Sequence, residues 1–100
     1  MTNQFLQSSP KGYQQLTVST AAVGLTLPAG AQRAVIHIEA QPIRYRDDGT
    51  DPTSTVGVLV KADVSFELNS LLSLRQFKAI RSGGVDATVN VVYYGASKVV

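Results

Sequence analysis

Three carboxylates within five residues, Asp47, Asp48 and Asp51, and a histidine and glutamate two apart, His37 and Glu39, are the groups whose type and spacing could do chemistry. On a strand, residues i and i+2 project from one face about 7 Å apart, so His37 and Glu39 fit a general base with its orienting carboxylate, or two metal ligands. Neither use is completed by the rest of the chain. Cysteine is absent, which excludes disulfides, thiolate nucleophiles and cysteine-ligated zinc. No serine sits in a G-x-S-x-G elbow where His37 could activate it. The aspartates surround Gly49, but the order D-x-[DN]-x-[DN]-G with a distant glutamate is not met, and one short turn rarely supplies six or more oxygen ligands. A glycosidase needs two carboxyl groups roughly 5–9.5 Å apart across a cleft, and side chains crowded on one turn make no cleft. The expectation is a protein that is not an enzyme, with no metal and no cofactor.

A turn accounts for more of the same residues. In I-R-Y-R-D-D-G-T-D-P, Ile43 to Pro52, an aspartate can bond its own backbone, Gly49 permits a positive φ, Thr50 and Asp51 continue the pattern, and Pro52 fixes the exit. Arg44 and Arg46 share one face of the preceding strand and are expected to pair with these carboxylates, at about 0.2–1 kcal/mol each where exposed. The expected product is a neutralised, rigid loop that protrudes at one end of the domain. Its candidate interaction residues are Arg44, Tyr45, Arg46, Asp47, Asp48, Gly49, Thr50, Asp51 and Pro52.

The elements that must carry this loop read as strands. Arg33 to Ala40, R-A-V-I-H-I-E-A, alternates Ala34, Ile36, Ile38 and Ala40 against Arg33, Val35, His37 and Glu39, the period-2 signature of a sheet with one buried face. Pro42 interrupts with a bulge or an edge before I-R-Y-R resumes. Tyr13 to Ser19 suits a first strand and Val23 to Pro28 a short second one. Gly57 to Lys61 and Val64 to Leu68 suit two more, joined by a tight return at Ala62–Asp63. Leu71, Leu74, Phe77 and Ile80 recur every third residue and could form a short helix; the reading adopted for this stretch is a turn at Asn69 to Ser73 followed by a strand. Val85 to Tyr94 alternates again, with Tyr93 and Tyr94 on opposite faces. Seven or eight short strands spaced by turn residues predict an all-β fold, an antiparallel β-sandwich or jelly-roll-like barrel.

One hundred residues allow one such domain with an adequate core. Residues 1–12 read as a polar N-terminal arm and 13–100 as the single β-sandwich domain. Only 16% of residues are charged, against roughly 25% in an average soluble protein, so part of the surface is expected to be covered by other chains. The net charge is +2 and no two basic residues are adjacent, which argues against a nucleic-acid patch. No apolar run approaches the ~18 residues of a membrane span. Phe5 and Leu6 in the arm, Tyr94, and the apolar end Val99–Val100 are the candidate subunit contacts.

The segments L-P-A-G-A-Q-R-A-V-I-H-I-E-A-Q-P-I-R-Y-R-D-D-G-T-D-P-T-S-T-V-G, L-R-Q-F-K-A-I-R-S-G-G and A-T-V-N-V-V-Y-Y-G, in that order, resemble small proteins of this length encoded among the virion genes of tailed bacteriophages and prophages. The resemblance covers about residues 25–95, and Ile43 to Gly57 is its most specific part. It implies a virion structural protein made in the host bacterial cytoplasm: a capsid decoration or cement protein, or a head-tail or tail accessory component. Such proteins are commonly homotrimers whose partner is the major capsid protein or another virion protein. The shorter D-G-T-x-P-T turn also looks like one found in β-sandwich modules of carbohydrate-active enzymes, which keeps a host-surface carbohydrate ligand as the alternative.

Overall fold

The computed structural model describes residues 8–97. Seven strands and one short helix follow in the order β1 (Ser8–Val18), β2 (Arg33–Ala40), β3 (Ile43–Arg46), β4 (Val58–Val60), β5 (Ser65–Leu68), α1 (Leu71–Gln76), β6 (Lys78–Arg81) and β7 (Ala87–Ala96). They form two antiparallel sheets, β1-β7-β2-β5 and β4-β3-β6, which pack as a sandwich. The pairings nest: β1 lies against the last strand, β2 against β5, and β3 against β4. Between the first two of these shells, Val23 bridges Ala79 of β6 through two backbone hydrogen bonds of 2.9 Å. Winding this nest brings β7 beside β2 and β6 beside β3. The result is the jelly roll expected from the strand count, with its second strand reduced to one bridge.

Alternation decides which side chains build the core. Ala34, Ile36 and Ile38 of β2 and Ala87, Val89, Val91 and Tyr93 of β7 are fully buried, as the period-2 pattern requires. From the smaller sheet Ile43, Val60 and Ala79 meet them, and Tyr45 lies with its ring 4.8 Å from Phe66 and 5.3 Å from Phe77. Ring stacks at these separations add about 0.5–1.5 kcal/mol beyond the area they bury.

Several boundaries differ from the sequence reading. Strand β1 starts at Ser8, so residues 8–12, within the stretch read as an arm, pair with β7; the register shifts between Pro10 and Gly12. Proline is tolerated there because β1 is an edge strand. Val23 to Pro28 is not a strand. Its alternation is real, since Val23, Leu25 and Leu27 pack on the core, but β6 begins only after α1 and offers a short ladder, and the Thr26 N–H bonds the Gln14 side chain instead. The turn-then-strand reading of residues 69–81 is corrected at its start. Ser70 caps α1 by accepting the Ser73 N–H, and Leu74 buries itself, so the three-residue spacing marked a helix before the strand resumes at Lys78. The tight return at Ala62–Asp63 is a crossover: β4 and β5 belong to different sheets. Asp63, at φ 67, turns the chain, and its N–H donates to the Ile38 carbonyl. The irregularity expected at Pro42 appears as a register shift between Ile38 and Ala40, with Gln41 at φ 67 where the chain changes sheets.

Two expectations follow from this packing. Phe77→Ala removes the fully buried ring of the stack and is expected to cost about 3–5 kcal/mol in urea unfolding. Burial pushes the Tyr93 phenol up from 10.0 to about 12, and its hydroxyl donates to Gln14 Oε1 at 2.6 Å. The folded state therefore holds that proton more tightly than the unfolded chain. The resulting stability is present below pH 10 and is lost as pH rises towards 12. Tyr93→Phe is expected to flatten stability against pH in that window while costing on the order of 1 kcal/mol at neutral pH.

Candidate functional site

Among the described residues β3 and β4 are the only consecutive strands that pair directly with each other, so residues 47–57 between them form the tip of the nested fold. Asp48 makes the first reversal. Its carboxylate accepts from Arg46 Nη2 at 2.6 Å and Nε at 3.1 Å, and from the Thr50 N–H at 3.3 Å. The bidentate Arg46 bond, helped by the Thr50 amide, holds the Asp48 carboxyl below the usual carboxylate range. Asp47 accepts from Ser73 Oγ at 2.9 Å, which ties the loop to α1. Gly49 takes φ 91, as the turn required, and Asp51 is exposed.

The loop then folds back rather than protruding. Pro52 is buried. Thr53 Oγ1 accepts from the Thr55 and Val56 amides, and Thr53 and Val56 exchange backbone hydrogen bonds. Arg44 is not paired with an aspartate; its Nε donates to the Ser54 carbonyl at 3.1 Å and its Nη1 to the Gly57 carbonyl at 2.9 Å. The guanidinium thus pins the returning half of the loop across the outer face of the smaller sheet. Gly57 completes the clamp at φ 138, where a Cβ would press on Pro52 and on the Tyr45 carbonyl. Open grooves lie on either side of Ser54, one of about 440 Å³ beside Thr20, Thr53 and Arg81, the other of about 370 Å³ beside Arg44, Leu59 and Lys61. Both are lined by hydroxyl and cationic groups beside apolar ones.

Tyr45 leaves the set of surface candidates, because its ring faces the core against Phe66 and Phe77. Burial and, second, the Asp47 charge push its phenol up. Tyr94 lies on the outer face of the four-stranded sheet with the Arg33 guanidinium 4.6 Å above its ring, and Arg33 also meets Glu67 at 3.4 Å. Phe5, Leu6, Val99 and Val100 lie outside the described residues.

His37 and Glu39 stand on the same outer face. His37 is opposite Asn90 and Ser65 in the ladder. Asn90 organises the neighbourhood: its Nδ2 donates to Glu39 at 2.8 Å, and its Oδ1 accepts from Tyr13 at 2.5 Å and Gln15 at 3.2 Å. Glu39 is thereby held by an amide on a flat sheet. Among the described residues no group of three or more His, Cys, Asp or Glu could hold a metal ion.

Sequence reasoning missed two surface features. Tyr13 is 61% exposed, which its parity with Gln15 and Thr17, opposite Leu16 and Val18, would have indicated. Val56, Val58, Leu59 and Val64 remain exposed along the β4–β5 margin, and no local pattern announces that, because it depends on which strands end each sheet.

The two arginines make a direct comparison. Arg44→Ala removes two charge-assisted bonds to loop carbonyls and is expected to cost on the order of 2 kcal/mol and to speed amide exchange across residues 53–57. Arg46→Ala, which breaks an exposed pair, is expected to change stability little and to leave that exchange unaltered. Equal effects from the two substitutions would contradict the clamp. No protein-family model, no curated protein and no solved structure matches this chain.

Proposed function

We propose that this chain is a non-enzymatic virion structural subunit of a tailed bacteriophage or prophage, most specifically a capsid decoration or cement protein. One observation carries the reading beyond the resemblance. Three of the carboxylates that could do chemistry are engaged in structural bonds, Asp47 to Ser73, Asp48 to Arg46 and Thr50, and Glu39 to Asn90, and Arg44 is spent on two carbonyls, while large apolar side chains stay exposed. That division suits a surface that works by being covered. The mechanism is avidity: many copies, each with a modest interface, add their binding energies across a shell without a reaction. The partners in this reading are the major capsid protein and sister copies, with a homotrimer as the assembly that the resemblance implies.

A second reading is favoured by one observation. Tyr13, exposed beside Asn90, Gln15 and Glu39, offers a ring face next to amide and carboxylate groups, the combination that holds a sugar. The protein would then be a tail or head-fibre module for host-surface carbohydrate.

Co-sedimentation with capsids of the encoding particle, stripped of this protein, separates the two. The cement reading expects saturable binding at a fixed number of copies per capsid and slower capsid disruption on heating. Absence of capsid binding, together with glycan-array signals that disappear in Tyr13→Ala, would replace it with the carbohydrate reading.

A further inference from the structure

Strands β4 and β5 each form one edge of their sheet, unpaired on the outer side among the described residues, and, being joined by the short link from Lys61 to Val64, lie on the same margin of the sandwich. Natural edge strands are guarded by shortness, charged side chains, proline, bulges or a covering segment. Strand β4, Val-Leu-Val, is short, but it carries no charge, proline or bulge within it, and Val58 and Leu59 are 53% and 43% exposed. Val56 and Val64 extend the same apolar strip.

We infer that β4 is a homodimerisation edge, to which the β4 of a second copy adds antiparallel about a two-fold axis at Leu59. A second copy fits because the edge complements itself in charge as well as in shape. Antiparallel pairing centred on Leu59 sets Val58 opposite the second Val60, on the core side, and the two Leu59 side chains opposite each other on the outer side. The next pair outward sets Lys61 opposite Gly57. Gly57 lines a groove of about 260 Å³ together with Arg46, Asp47, Asp48, Val56 and Val58. The charged groups of that groove are two carboxylates and one guanidinium, a net −1, and Lys61 is exposed on its own copy. Pairing therefore carries one lysine into each acidic groove, twice by symmetry, and neutralises it. A register slipped by one residue would turn Lys61 to the core side and lose both the charge match and the valine pair. The two-fold operator repeats each contact, as an isologous interface requires.

This inference does not depend on the virion reading, and it puts a two-fold dimer in place of the homotrimer that the resemblance implies. The test uses the full chain. Light scattering after size exclusion is expected to give a dimer mass. Leu59→Lys replaces an exposed side chain and sets like charges face to face on the axis, so a monomer with an unchanged circular-dichroism spectrum is expected. Lys61→Glu is expected to weaken association about tenfold, because two attractive pairs become repulsive, and Lys61→Glu with Asp48→Lys is expected to recover it. A monomeric or trimeric parent protein, or a dimer indifferent to Leu59→Lys, overturns the edge contact. Failure of the charge swap to restore association overturns the register. Capsid co-sedimentation is a separate readout: a dimer that ignores capsids keeps this edge and removes the cement reading.

Discussion

Strand β7 is hydrogen-bonded on both flanks, to β1 from Ala87 to Ala96 and to β2 from Thr88 to Tyr94, and the rest of the molecule depends on that double pairing. It joins the two ends of the described chain, and its inward residues are all buried. Once β1 and β7 are side by side, the intervening chain is a closed loop that must fold inward on itself, and the β2–β5 and β3–β4 pairings are the successive shells of that folding. Closing so long a loop costs more entropy than a local hairpin, though the cost grows only with the logarithm of length. It is offset because each inward position of β7 meets a β1 or β2 side chain on the same face. The tip, residues 47–57, is the last shell and the one least constrained by sheet pairing, which is why side chains rather than ladders hold it.

How much of this was legible depended on whether the cause lay in the local sequence. Strands β2 and β7 were readable residue by residue, because strict alternation follows from the pleat itself. The turn at Asp48–Gly49 was readable for the same reason: an Asx reversal and a positive φ are properties of two or three neighbouring residues. The Leu71–Leu74–Phe77 spacing was also local, and it is outweighed in the reading only by the family resemblance and the all-β context together. What could not be read was partnership. Val23 to Pro28 carries a proper strand pattern, yet a strand exists only where it meets a neighbour's ladder, and of these residues only Val23 bridges β6. The link between β4 and β5 looked like a return because sequence shows adjacency and not sheet membership.

The clamp at Arg44 illustrates the same limit at the scale of one side chain. A reader of sequence sees arginines and aspartates one to seven residues apart and pairs their charges. Arg46 and Asp48 do pair. Arg44 instead satisfies two main-chain carbonyls, acceptors present at every residue and therefore invisible as a signal. The consequence reaches the functional argument. With Arg44 directed at the backbone, the loop lies across the sheet, Pro52 is covered, and Asp47 and Asp48 line the groove beside Gly57 at the start of β4, while Asp51 stays exposed.

That placement connects the loop to the margin beside it. Side chains of valine and leucine contribute about 1.5–3 kcal/mol each when fully buried, and those along β4 and β5 are already about half covered, so completing their burial in two copies offers a gross gain of several kcal/mol. Association of two proteins costs an estimated 4–15 kcal/mol in lost translational and rotational freedom. Apolar area alone therefore comes close to cancelling that cost and does not decide the outcome. The deciding contributions are those that require one register: the main-chain bonds of an added strand and the fit of Lys61 against Asp47 and Asp48. Because Ser73 fixes Asp47 and Arg46 fixes Asp48, the loop acts on assembly through position, by presenting charge at one defined step along an otherwise featureless apolar edge.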